Sequence, residues 1–148
     1  MTVKSVETVL ASKGRDVATA WPWSTIDEAS KLLVGPPTIG ALVVLNEARQ
    51  VAGMLTERDL VRGQTLHGSR LGEVTVESLM AHRVPTCGPT DELSSVMATM
   101  TDWRFRHLPV VRGGELVGLI SIGDVVRALL ADARLEVAVL RDVVISRT

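Results

Sequence analysis

The residues of this chain best suited to bind or react gather at two places. Gly53-Met54-Leu55-Thr56-Glu57-Arg58-Asp59-Leu60-Val61-Arg62 recurs as Gly118-Leu119-Ile120-Ser121-Ile122-Gly123-Asp124-Val125-Val126-Arg127. In each copy a hydroxyl residue, Thr56 or Ser121, stands three positions before an aspartate, Asp59 or Asp124. The apolar run after the glycine reads as the end of a buried strand, and the hydroxyl followed by Asp reads as the start of a helix. A helix N-terminus offers unpaired N–H groups and partial positive charge to an anion such as phosphate. The adjacent carboxylate can accept bonds from sugar hydroxyls, and phosphate plus sugar outlines a nucleotide. The same residues also satisfy a plain capping box, which does nothing but start a helix. Two copies that both keep glycine, hydroxyl and aspartate favour the ligand reading.

Other chemistries find less support. Neither Thr56 nor Ser121 has a basic partner at a useful spacing, Cys87 lacks a histidine relay, and no acid pair points to hydrolysis, so no catalytic residue and no enzymatic activity are expected. No His, Asp or Glu spacing marks a metal site. Cys87 is the only cysteine, which excludes an intramolecular disulfide and fits a reducing compartment. A net charge of −1 and a pI near 6.3 argue against general attraction to nucleic acid or anionic membrane. No apolar run approaches the roughly 20 residues of a bilayer span. Met1 to Arg15 carries Glu7 and lacks the apolar core of a signal peptide. The expectation is a soluble, cytoplasmic protein.

The elements that must position the two motifs also repeat. Val6-Glu7-Thr8-Val9-Leu10-Ala11 is answered by Val76-Glu77-Ser78-Leu79-Met80-Ala81, and Val17, Thr19 and Pro22 by Val84, Thr86 and Pro89. Each proline should end an extended piece. Amphipathic stretches follow, with Ile26, Ala29, Leu32 and Leu33 on one helical face and Leu93, Val96, Met97 and Met100 on the other. The halves differ most at Gly35-Pro36-Pro37 against Asp102-Trp103-Arg104-Phe105-Arg106. Two β-rich runs joined by a turn then lead into each motif. Each half reads as strand, helix, strand, strand, helix. Units of this size bury too little surface alone, so an α/β fold of two βαββα repeats packed face to face about a pseudo-two-fold axis is expected. The divisions are residues 1–63, a surface linker at 64–75 opened by Gly63, a second repeat at 76–131, and a C-terminal extension at 132–148. That extension continues a helix from about Asp124 to Val144 whose apolar face needs a partner. Met80, Met97 and Met100 read as core, and His67 and His82 as surface.

Paired units closing on Gly, two apolar residues, Thr or Ser and then Asp resemble a tandem pair of CBS domains, the Bateman module. The likeness extends to Ile39-Gly40-Ala41-Leu42-Val43-Val44, Thr56-Glu57-Arg58-Asp59 and Arg104-Phe105-Arg106-His107 and runs from about Val6 to Leu130. It implies two clefts per chain, a homodimer shaped as a flat disc, and an adenine-nucleotide ligand: AMP, ADP, ATP, NAD(H) or, less readily, S-adenosylmethionine. By the resemblance, Asp59 and Asp124 contact ribose hydroxyls, and Thr56 and Ser121 the ribose or phosphate. Val17, Thr19, Val84 and Thr86, with Gly40, Ala41, Leu108 and Pro109, wall the adenine, while Arg106 and His107 meet phosphates. Gly123 replaces Arg58, and Gly40 replaces His107, so the sites should be unequal. Arg58 and the pair Arg106/His107 then serve one ligand of more than one phosphate from opposite sides. Trp21 and Trp23 either narrow a pocket or stack on adenine, or are core or interface residues. The resemblance implies a regulatory sensor acting on an unidentified protein; the alternative is a ligand-free dimeric adaptor.

Overall fold

In the computed structural model of the chain the described residues are 4–146, and Met1–Val3 and Arg147–Thr148, at the outer ends of the first repeat and the C-terminal extension, lie outside them. The elements in order are α1 (Val6–Lys13), β1 (Thr19–Ala20), α2 (Ile26–Val34), β2 (Ala41–Leu45), β3 (Val51–Thr56), α3 (Glu57–His67), a 3-10 helix (Gly68–Glu73), α4 (Val76–Leu79), α5 (Leu93–Trp103), β4 (His107–Arg112), β5 (Glu115–Ser121) and α6 (Ile122–Ser146). Strand β2 runs parallel to β1 and antiparallel to β3, and β4 and β5 form an antiparallel pair. This is the mixed α/β arrangement of two repeats read from the sequence.

Local chemistry sets the main elements. Helix α2 starts where the Glu28 N–H donates to the Thr25 hydroxyl oxygen at 3.2 Å, a side-chain cap followed by acidic residues in the first turn. Its Ile26, Ala29 and Leu33 are buried at helical spacing, as are Leu93, Val96 and Met100 of α5. Every residue of β2 is buried, as befits a central strand covered on both faces. Met80 and Met100 are buried, Met97 packs on the second core from a half-buried position, and His67 and His82 are exposed.

The first strand of the second repeat shrinks to a single parallel bridge, Cys87 to Val110. The Cys87 N–H donates to the Pro109 carbonyl at 3.0 Å, and the Val111 N–H donates to the Cys87 carbonyl at 2.8 Å. Pro85 and Pro89 stand two residues to either side and carry no N–H to extend the ladder.

The short helices are exchanged between the repeats. Val6, Val9 and Leu10 of α1 pack with Leu93, Val96, Leu108 and Ile120 of the second repeat. Val76, Leu79 and Met80, from α4 and its end, pack with Ile26, Leu42 and Leu55 of the first. The backbone repeats the exchange symmetrically. The Glu7 N–H donates to Pro89 O at 2.8 Å, and the Glu77 N–H donates to Pro22 O at 2.9 Å. Gly53 and Gly118 let each helix come close, since a Cβ at Gly118 would lie 2.8 Å from Leu10 Cδ1 and one at Gly53 would lie 2.5 Å from Ala81 O.

The stretch after Gly63 is helical. Helix α3 continues through Gly63 to His67 and passes into the 3-10 helix. Gly63 is buried because Leu71 and Leu79 close on it, with their methyls 2.7 and 2.6 Å from where a Cβ would stand. Its missing side chain serves close packing rather than flexibility.

Candidate functional site

One cleft of about 550 Å³ joins the start of α3 to the chain between α5 and β4. Thr56, Arg58, Asp59 and Arg62 come from the first repeat, and Trp103, Arg104, Phe105, Arg106 and His107 from the second. Gly40, Met54 and Ala81 complete its lining, with Glu57 at the helix start. Arg58 and the pair Arg106/His107 thus face one space.

Asp59 is 8% exposed, and its Oδ2 accepts from Thr56 N at 2.9 Å and from the Thr56 hydroxyl at 3.2 Å. The other oxygen, Oδ1, lies 3.5 Å from Arg62, whose guanidinium is anchored on Leu79 O at 2.6 Å. Arg58, Arg104 and Arg106 make no ion pair with a carboxylate among the described residues. A surplus of positive charge therefore lines the cleft. Helix α5 ends on Arg104 in the left-handed conformation, φ 59° and ψ 38°, which swings the chain toward β4. A non-glycine residue held there stores about 1–3 kcal/mol of strain, and such strain concentrates at functional sites.

His107 is half-buried with its ring over Gly40, where an added Cβ would lie 2.7 Å from Cε1 and 2.8 Å from Nε2. Gly40 and His107, equivalent positions of the two repeats, are therefore in contact, and the imidazole fills the space that glycine leaves. Burial lowers the His107 pKa, nearby Lys13 and Arg106 lower it further, and Asp124 opposes them without prevailing. His107 is a neutral hydrogen-bonding group at neutral pH, so the cationic work at the cleft falls to the arginines.

The equivalent carboxylate of the second copy is already engaged. Asp124 Oδ2 accepts from Lys13 Nζ at 2.7 Å and from Ser121 N at 2.9 Å, while Oδ1 accepts from Arg127 at 2.8 Å. Lys13 also donates to Leu119 O at 2.9 Å, and the Ser121 hydroxyl accepts from Asp124 N at 3.1 Å, closing a reciprocal capping box. Burial pushes the Asp124 carboxyl up, but the bonds from Lys13 and Ser121 outweigh it and hold it below the usual carboxylate range. Helix α1 reaches Asp124 because it runs on to Lys13; α4 stops at Leu79, and Arg83, Lys13's counterpart in the repeat, is exposed and outside the cleft lining.

The remaining sequence candidates stand apart from the open cleft. Ala41 and Leu108 are core residues, 1% and 0% exposed, and Pro109 is buried beside Leu108. Val17 and Val84 are half-buried and Thr19 and Thr86 exposed, and none of these four lines the cleft. Trp21 and Trp23 stack on each other at the surface, with ring centroids 5.1 Å apart and planes 6° from parallel, and neither enters the cleft. Trp103, Arg104, Phe105, Arg62 and Lys13 were not singled out as site residues from the sequence. Only the unequal segment between α5 and β4 hinted at the first three. Among the described residues no group of three or more His, Cys, Asp or Glu is placed to hold a metal ion.

The family model for the CBS domain matches the chain twice, over residues 7–65 and 76–131. The chain belongs to the CBS-domain family. It is 34% identical over 142 residues to the mitochondrial CBS domain-containing protein CBSX3 of Arabidopsis thaliana, covering 89% of this chain and 68% of that protein. The crystal structure of a CBS-domain containing protein from Agrobacterium tumefaciens superposes with a TM-score of 0.80 at 40% identity, covering 86% of this chain and 94% of that one. Two more distant structures share the CBS-pair fold: CBSX2 in complex with AMP, with TM-score 0.70 and 23% identity over 87% of this chain and 98% of that one, and a CBS domain pair in complex with 5′-methylthioadenosine and S-adenosyl-L-methionine, with TM-score 0.76 and 21% identity over 88% and 99%. Among the described residues no helix of this CBS pair is long and apolar enough to cross a membrane.

Proposed function

We propose that this CBS pair is a regulatory module that binds an adenine nucleotide in the cleft between its repeats and signals by a ligand-dependent change in dimer shape or partner affinity. One observation carries the reading: a single cleft brings Thr56, Arg58 and Asp59 at the start of α3 to face Arg104 and Arg106. A carboxylate matches ribose hydroxyls, and a helix start with guanidinium groups matches phosphates. About 550 Å³ falls within the range of small-molecule sites. Trp103, half exposed at the cleft, offers a face on which a base can stack. The AMP complex of CBSX2 supports a ligand of this class. The positive lining favours AMP, ADP, ATP or NAD(H) over S-adenosylmethionine, which carries a sulfonium cation, and among these it favours a ligand with more than one phosphate.

Signalling without turnover is consistent with the groups present. Thr56 and Ser121 are bonded to Asp59 and Asp124 rather than to a histidine. Burial, with Asp91 nearby, pushes the Cys87 thiol up to about 12, which leaves it un-ionised. For a signal the ligand must favour one arrangement of the protein over another.

The test is a thermal-shift panel of AMP, ADP, ATP, NAD⁺, NADH and S-adenosylmethionine with GMP as control, run on the native chain and on Arg58→Ala/Arg106→Ala. At about 100 times its dissociation constant a ligand stabilises the fold by about 2.7 kcal/mol. We expect a shift with a phosphorylated adenine compound that the double variant loses. No shift with any of them, from protein shown to be free of co-purified nucleotide, would leave the dimeric adaptor as the better reading.

A further inference from the structure

Helix α6 carries a second pattern beyond the face that packs on its own module. Val126, Leu130, Ala133, Val137, Leu140 and Val144 follow one another at alternating steps of four and three. That is the seam of a heptad repeat, with Leu130, Val137 and Val144 at a and Val126, Ala133 and Leu140 at d. All six are exposed, the large ones from 40% at Val126 to 64% at Leu140. The face turned to the module is a different one: Val125 is buried in the second core, Ala128 packs against it, and Asp132 pairs with Lys4 at 3.4 Å. The two faces lie roughly a third of a turn apart, so the seam is open to a neighbour.

We propose that α6 of a second copy of the chain covers this seam, in register, as a parallel two-stranded coiled coil. Valine at a with leucine at d, as in Val137, Leu140 and Val144, favours two strands over three or four. The flanking charges select the direction. Arg127, Arg134 and Arg141 occupy the e positions and Glu136 a g position. In a parallel pair g meets the following e of the other helix, which sets Glu136 beside the partner's Arg141. In an antiparallel pair e meets e, which sets arginine against arginine. Spacing and charge therefore point to the same occupant, whatever the cleft binds.

The test uses the full chain with Leu140→Cys or Leu135→Cys, Cys87 being buried and its thiol un-ionised. On mild oxidation Leu140→Cys should give a disulfide-linked dimer, because an in-register pair places the two copies of position 140 opposite each other. Leu135→Cys, at an outer f position, should not. Sedimentation should show that Glu136→Arg weakens dimerisation by about fivefold, the weight of two exposed ion pairs, and that adding Arg141→Glu restores it. A dimer without the 140 crosslink, equal crosslinking at 135, a trimeric or tetrameric mass, a monomer at all concentrations, or a double charge swap that fails to recover dimerisation would each overturn the proposal.

Discussion

Asp59 and Asp124 hold equivalent positions and have unequal lives. Asp124 is neutralised by Lys13 and Arg127, whereas Asp59 keeps one oxygen with only a 3.5 Å approach from Arg62. Lys13→Ala should lower stability by about 1–2 kcal/mol at neutral pH, between the values for exposed and buried pairs. Because the folded Asp124 pKa lies below its ordinary value, its contribution is present above about pH 4 and is lost as pH falls through the folded pKa. Urea unfolding of the native chain and the variant should therefore differ at neutral pH and converge in acid; a difference that persists in acid would mean that Lys13 acts through packing instead. Thr56 and Asp59 stand out because the chain repeats their motif as Ser121 and Asp124, whereas Arg58 and Arg106, which the other copy lacks, were reached through the family resemblance. Lys13 was not legible, since its partner stands 111 residues away and no local pattern marks the pair.

At the scale of elements, periodicity shows that a face is buried but not against what. The spacing of Ile26, Ala29 and Leu33 was enough to identify α2, and that of Leu93, Val96 and Met100 to identify α5. Nothing in the spacing of Val6, Val9 and Leu10 says that they belong to the core of the other repeat. Likewise Gly63 looks like loop chemistry until Leu71 and Leu79 are seen closing on it. The exchange makes α1 a structural part of the second repeat. Leu10→Ala should cost about 2–5 kcal/mol, as for other buried leucines, and hydrogen exchange should show the loss of protection in β4 and β5 before β2 and β3. Uniform loss across both sheets would mean that the two cores unfold as one unit.

For the whole molecule, a net charge of −1 conceals a cleft rich in arginine, because composition averages over a surface that the fold does not treat evenly. With one repeat's carboxylate available and the other's held by Lys13, calorimetric titration with ATP should give one site per chain in the native protein. Two equivalent sites would contradict the asymmetry drawn from Lys13 and Arg83. The crossing of α1 and α4 between repeats also bears on how the chain is made. Lys13 is synthesised 111 residues before Asp124, so α1 leaves the ribosome long before the strands and helix it will rest on exist. Until β5 and the start of α6 emerge, its Val6, Val9 and Leu10 have no native groove to fill. The docking of α1 is thus a late event of biogenesis, reached when the second repeat is nearly complete.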